Sequence, residues 1–315
     1  MNTNQTIHIG YLSTLYHTSF ILMATGWLEE KLGIRVKWSM FGGGPAIVDA
    51  FSKGEVDIGY IGLPPVMVGI DRGVPIKCVG GGHVEGTVMI AVSNSSSLDE
   101  MGGNIHAVLE QFKGGIIGCP PSGSIHDVII RDMIKKHGLD GSITVKNYTW
   151  SDFIPDALTD GELDAAVGTP PLSVACARAC RARVVIPPSI LWPWNPSYGI
   201  IISEELLLNS SKLVEGFLQL HEDASNLIRN DPFQAAKMVA DMVEVIDSDF
   251  ILQTYQISPK YCASLPDEYI ESTMAFVNVL HDLGYIEHQL GEADIFDTSL
   301  IDKIHSNKHH YLAVS

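Results

Sequence analysis

MFGGGPAIVDAFSKGEVD, residues Met40–Asp57, is repeated in altered form as NYTWSDFIPDALTDGELD, residues Asn147–Asp164. Without gaps the two stretches share Asp49 with Asp156, Ala50 with Ala157, Gly54 with Gly161, Glu55 with Glu162 and Asp57 with Asp164. Each then runs into a short apolar segment closed by Gly, one residue and a Pro pair: IGYIGLPP (58–65) and AAVGTPP (165–171). Solenoid repeats are shorter and more numerous, so a single duplication over this distance implies two equivalent supersecondary units.

Working outward, each copy reads strand, helix, strand, helix, strand. IHIGY (7–11) leads to a helix over 18–31 closed by Gly33, then IRVKWSMF (34–41), a helix opened by Pro45 and ended at Gly54, and DIGYI (57–61). The second copy supplies GIIGC (115–119), a helix over 124–137, TVKNY (144–148) and DAAVG (164–168). Such alternation implies mainly parallel sheets flanked by helices. VGGGHVEGTVMIAV (79–92) and LWPWNPSYGIII (191–202) read as two crossings between the lobes, as a hinged clamp requires. The expected division is 1–95 for the first part of lobe I, 96–196 for lobe II, and 197–315 for a return to lobe I. The amphipathic helices after 203, marked by Leu213, Phe217, Leu220, Ala224 and Leu227 and by Ile270, Met274, Val277 and Leu280, are expected to pack on lobe I.

At 315 residues, 46% hydrophobic and 18% charged, the chain has the composition of a well-packed α/β protein. The net charge of −17 disfavours nucleic acid and anionic membrane surfaces. Most of it lies after residue 196, where 19 acidic residues face six basic ones, which a solvated helical face explains. No stretch approaches the roughly 18–20 apolar residues of a membrane span, and Met1–Thr6 is too short and polar for a signal peptide. Five cysteines without scaffold spacing read as buried thiols, including Cys176 and Cys180 four apart on one helix.

FGGGPAIVDAFSKGEVDIGYIGLPP (41–65), GGGHVEGTVMIAV (80–92) and PPSGSIHDVIIRDMIKKHGL (120–139) together resemble the substrate-binding proteins of ABC importers for taurine, aliphatic sulfonates, nitrate and the thiamine pyrimidine precursor. The likeness spans about residues 7–280. It implies a two-lobed periplasmic-binding-protein-like α/β fold with two hinge crossings, closing on a small molecule that is handed to an ABC transporter permease. It also implies an extracytoplasmic location, in the periplasm or at the cell surface, if an export signal has been removed, and a cytoplasmic one otherwise. A monomer is the simplest expectation for such a clamp. No cofactor is expected.

Ligands of open α/β sheets sit beyond the carboxyl ends of the strands, which selects the candidate residues. Tyr16 and His17 follow the first strand, where the histidine either donates to a ligand or packs locally. Gly43 and Gly44 open a helix and admit close backbone approach. Gly62 and Leu63 follow the third strand, and Thr169 is their counterpart in the second copy. Ser122, Gly123 and Ser124 begin a helix, with Ser124 and Asp127 spaced as a capping box, and the resemblance also places a ligand there. Trp150 and Ser151 align with Gly43 and Gly44, suggesting an aromatic platform on one lobe only; the competing reading is a core tryptophan. His83 and Glu85 flank the first crossing and Trp192, Asn195 and Tyr198 the return. These either sense closure or tie the two linkers together. No Arg or Lys lies in these loops, which makes taurine-like sulfonates less attractive and, with Tyr16, Phe41, Trp150, Trp192 and Tyr198 nearby, favours a small polar or heteroaromatic ligand over a sulfonate- or nitrate-like anion.

The competing function is a cytoplasmic enzyme of the same fold, as in thiamine-pyrimidine or menaquinone-precursor biosynthesis, with His17, His83 and Glu85 as acid or base. Against catalysis, Ser124, His126 and Asp127 occupy one helical turn and cannot form a triad, and nothing identifiable activates Cys119. No metal site is expected: His305, His309 and His310 stand in what reads as a frayed tail without a fourth ligand.

Overall fold

The computed structural model describes residues 5–92, 94–306 and 308–312. Strands β1 (Thr6–Leu12), β2 (Arg35–Phe41), β3 (Ile58–Ile61) and β4 (Ile76–Val84) belong to the first sheet. The second holds β5 (Val88–Ala91), β6 (Ile116–Cys119), β7 (Thr144–Asn147), β8 (Ala165–Gly168) and β9 (Arg183–Ile186). The last strand, β10 (Pro196–Ser203), returns to the first sheet.

The strand orders are β2-β1-β3-β10-β4 and β7-β6-β8-β5-β9. The duplication is therefore visible in the topology. In each sheet three strands of one repeat copy run parallel, and a fourth strand, β10 or β5, lies antiparallel between the third and an outer strand. IGYI of β3 and AAVG of β8 are buried throughout, because the sheets are covered on both faces.

Three sequence expectations need correction. The helix expected over 18–31 is broken in two, Ser19–Thr25 and Trp27–Leu32, because Gly26 adopts a left-handed φ of 63° that ends the first and starts the second. The boundary expected at 95 lies earlier: β5 already pairs with β8 and β9, so the chain crosses between sheets at residues 85–87 and again at 187–195. The helices Ser211–Asn230 and Asp267–Asp282 pack chiefly on the first lobe, whereas Ser248–Ile257 leans on Pro170–Cys180 of the second, where Arg178 pairs with Asp247 at 2.6 Å and Asp249 at 2.9 Å. Among the described residues no helix is long and apolar enough to cross a membrane.

The two crossings are bound together. Glu85 and Trp194, one on each, are non-glycine residues with φ of 60° and 58°, a sparsely populated conformation held in place by its surroundings. The Glu85 N–H donates to Asn195 O at 2.9 Å, the Trp194 N–H donates to Glu85 Oε1 at 3.2 Å, and Lys260 Nζ donates to Glu85 Oε2 at 2.6 Å.

Candidate functional site

Four helices begin at one cavity between the lobes. Gly44–Ser52 and Leu63–Asp71 come from the first lobe, Ile125–Lys136 and Pro170–Cys180 from the second. Their N-cap residues, Gly43, Gly62, Ser124 and Thr169, are all extended and all line the cavity, a tight space of about 40 Å³. The positive ends of four helix dipoles are thus directed at one small volume, although Pro45, Pro64, Pro65, Pro170 and Pro171 remove N–H donors from the first turns of three of the helices.

Among the described residues no Lys, Arg, Asp or Glu contributes to the lining. Polarity comes from hydroxyls and histidines instead. Thr14 Oγ1 and His17 Nδ1 are buried at the cavity and have no hydrogen-bond partner among the described residues. Buried polar atoms of this kind cost free energy unless something else pairs with them. Burial, with some help from His83, His126 and His221, holds His17 well below the usual histidine range, so the ring is neutral. His126 also lines the cavity; its Nδ1 lies 2.9 Å from Thr87 Oγ1, and burial takes its pKa down to about 4. Ser124 Oγ accepts from the Asp127 N–H at 3.3 Å, capping its helix, while the return contact falls one residue earlier than a capping box has it: the Gly123 N–H donates to Asp127 Oδ2 at 2.9 Å.

Of the residues selected from sequence, the cavity brings together Tyr16, His17, Gly43, Gly44, Gly62, Ser124, Ser151 and Thr169. The others stand elsewhere, for identifiable reasons. Leu63 is fully buried in the core behind its helix N-terminus. His83 and Tyr198 form the aromatic layer beneath the cavity: their rings stack with centroids 6.2 Å apart, His83 Nε2 lies 2.6 Å from Ser258 O, and the Tyr198 hydroxyl accepts from the Thr18 N–H at 3.2 Å. Glu85 and Asn195 tie the crossings to one another, the alternative reading of these residues. Ser122 and Gly123 face outward into a side groove, where Ser122 Oγ lies 3.1 Å from the Tyr285 hydroxyl. Trp150 is half-buried and lies over Gly42 at the rim. Of the five aromatic residues expected near the ligand only Tyr16 reaches the lining; Trp192 stacks on Phe276 with centroids 3.8 Å apart.

The acid–base set offered for an enzyme does not assemble, since His83 and Glu85 are outside the cavity and only His17 lines it. Cys119 is fully buried, and burial, reinforced by Asp127, raises its thiol well above the usual range. Sequence reasoning missed Ser13, Thr14, His126 and Ser197. Thr14 lies in the same loop as Tyr16 and His17, whereas Ser197 sits inside β10 and is brought to the site by the return crossing, where its Oγ accepts from the Gly86 N–H.

The lobes are closed on one another. A Cβ on Gly42 would lie 2.5 Å from Thr149 O, and one on Gly43 would lie 2.7 Å from Pro121 Cγ, in both cases across the cleft. Glycine here allows backbone-to-backbone approach of the two lobes. Ser13 Oγ donates to Asp152 Oδ2 at 3.2 Å, and the Tyr285 hydroxyl donates to Asp127 Oδ2 at 2.6 Å.

The expected frayed tail is docked instead. Tyr311 is buried, its hydroxyl donating to Cys262 O at 2.6 Å and Ser264 O at 3.0 Å, and it carries His305 and His310 against Cys262. His309 packs edge-on to Trp194.

Residues 2–244 match the NMT1-like family. No curated protein matches the sequence. Among solved structures, the alkanesulfonate-binding protein SsuA from Xanthomonas axonopodis pv. citri, bound to MOPS, is similar with a TM-score of 0.77 at 17% identity, over 92% of this chain and 98% of that one. The ligand-binding component of an ABC-type import system from Staphylococcus aureus, with zinc bound, gives 0.77 at 17% identity, over 96% and 100%. The periplasmic nitrate-binding protein NrtA from Synechocystis PCC 6803 gives 0.77 at 10% identity, over 96% and 88%. At these identities the likeness is one of fold.

Proposed function

Because the chain belongs to the NMT1-like family, we propose that it is a solute-binding protein that closes on a small molecule and delivers it to the permease of an ABC importer, outside the cytoplasm and as a monomer. The observation that carries this reading is the convergence of four helix N-termini from both lobes on a closed cavity without a charged side chain. Donors on opposite lobes can be satisfied together only in the closed form, so binding and closure are one event.

The same chemistry narrows the solute. N–H groups, hydroxyls and neutral histidines suit acceptor oxygens, and helix dipoles favour negative charge. Without a guanidinium or ammonium to balance a second charge, the site suits a neutral or singly charged molecule, such as a monocarboxylate or a monosulfonate. The sequence-based preference for a heteroaromatic ligand loses its main support, since four of the five aromatic residues behind it are outside the cavity. Alkanesulfonates and nitrate, for which two of the similar proteins are named, are singly charged oxyanions, in keeping with this.

A thermal-shift panel of monosulfonates, monocarboxylates, nitrate, phosphate and uncharged pyrimidines tests the proposal. A ligand at 100 times its Kd stabilises by about 2.7 kcal/mol. A monoanion that shifts the wild type, is weakened by Thr14→Val and is recovered chemically unchanged supports the reading. Preference for phosphate dianion or for the pyrimidines would overturn the proposed solute class, and chemical conversion of the hit would overturn the binding role.

A further inference from the structure

We propose that Glu222, Cys262, His305 and His310 form a structural zinc site that pins the end of the chain to the first lobe. The four side chains come from three places: Glu222 from the helix Ser211–Asn230, Cys262 from the segment after Ser248–Ile257, and the two histidines from the docked tail. Their donor atoms all lie within 4.8 Å of one another.

The spacing is that of a coordination shell. His305 Nε2 is 3.2 Å from His310 Nδ1 and 3.3 Å from Cys262 Sγ; His310 Nδ1 is 3.7 Å from Cys262 Sγ; Glu222 Oε1 is 3.8 Å from His305 Nε2 and 3.4 Å from His310 Nδ1. Tetrahedral zinc with bonds of about 2.0–2.1 Å to nitrogen or oxygen and about 2.3 Å to sulfur places its ligands roughly 3.3–3.6 Å apart. The five distances bracket that range.

Donor chemistry selects the metal class. A thiolate, two imidazoles and one carboxylate suit a borderline-soft divalent ion, whereas calcium and magnesium need oxygen ligands. Four protein donors with Cys262 and Glu222 both buried describe a closed, structural site rather than an open one for cargo.

Neighbouring groups already orient these ligands. The Ala263 N–H donates to Glu222 Oε2 at 2.8 Å, leaving Oε1 on the cluster side, and the His310 N–H donates to Cys262 Sγ at 3.4 Å. Outer contacts of this kind fix ligand geometry in metal sites. Arg229 Nη2 also donates to Glu222 Oε1 at 2.7 Å, so the carboxylate keeps a charged partner when no metal is bound.

The position gives the site a role. Tyr261, next to Cys262, forms a β-bridge to His83 at the end of β4, and the Val84 N–H donates to Lys260 O at 3.2 Å. Zinc would thus fasten the segment that braces the strand entering the first crossing. This is independent of what the cavity binds.

The test uses the full chain stripped with a chelator and titrated with Co2+, then with Zn2+. One equivalent of Co2+ should give the intense visible bands of tetrahedral cobalt with a thiolate charge-transfer band in the near ultraviolet, and Zn2+ should displace it. Cys262→Ser should abolish the charge-transfer band and weaken Zn2+ by more than about 100-fold, beyond the usual effect of outer-shell partners. His310→Ala, at a side chain 39% exposed and so tolerant of truncation, should also lose binding, while His309→Ala should keep it. Absence of a tetrahedral cobalt spectrum, or Zn2+ binding unchanged in Cys262→Ser or His310→Ala of wild-type secondary structure, would overturn the proposal.

Discussion

Tyr285→Phe removes one oxygen that joins the lobes. The residue follows the helix Asp267–Asp282 on the first lobe, and its hydroxyl donates to Asp127 Oδ2 of the second at 2.6 Å. Burial raises the phenol's pKa, so it remains a donor at neutral pH. Asp127 keeps the Gly123 N–H, the Arg131 guanidinium and the Asn147 amide in the variant, so no buried carboxylate is left bare and the helix cap is untouched. A hydrogen bond to a charged group contributes about 1.5–3 kcal/mol; the phenol is half-buried and rehydrates on opening, which brings the net down to about 1–2 kcal/mol. Apparent affinity scales with the closed fraction, so for a protein mostly open without ligand the loss reads as a 5–30-fold weaker Kd, on the order of the equilibrium change that one or two kcal/mol makes. Calorimetric titration of wild type and variant with one solute measures it, and small-angle scattering with and without solute reports closure. An unchanged Kd together with an unchanged radius on binding would refute the latch.

Gly43→Val should abolish tight closure, because even a Cβ would meet Pro121 Cγ at 2.7 Å; scattering should show no compaction with solute while the circular dichroism spectrum stays that of wild type. Ser124→Ala removes a helix cap as well as a cavity hydroxyl, costing about 1 kcal/mol of stability, so denaturant midpoint and affinity should both fall, and an unchanged midpoint would refute the cap. Acid should destabilise the fold steeply. Burial holds His83 at about 3, His126 and His221 at about 4, and His17 well below 6.5, so all four stay neutral when folded while the unfolded chain protonates near 6.5. Their contribution is fully present above that pH and is lost as pH falls towards 4, by up to about 1.4 kcal/mol per pH unit for each; a melting temperature that is flat from pH 7 to 4.5 would contradict it.

The two lobes were legible because a gapless repeat preserves the order of elements, and the cavity's position followed from where strands end and helices begin. Gly43, Gly62, Ser124 and Thr169 were found by that rule, each being an N-cap. The rule locates backbone, however, and not the direction of a side chain. Tyr198 and His83 sit on neighbouring strands near the site yet face the aromatic layer below it, because strand register decides which face each occupies. Ser197, one residue from Tyr198, takes the opposite face and reaches the cavity. The tail was misread as frayed: Glu222 and His310 are far apart in sequence, and the docking of Tyr311 on Cys262 and Ser264 accompanies their meeting.

The insertion of β10 between β3 and β4 sets an order of assembly. The second sheet is drawn from one uninterrupted run, residues 88–186, whereas the first leaves a gap that only residues 196–203 can fill. A ribosome therefore releases the whole of the later lobe before the earlier one can be completed. Until then β3 and β4 lack the strand that pairs with both of them. Long-range pairing of this kind slows folding, so the first half stays incomplete until the return strand has been made.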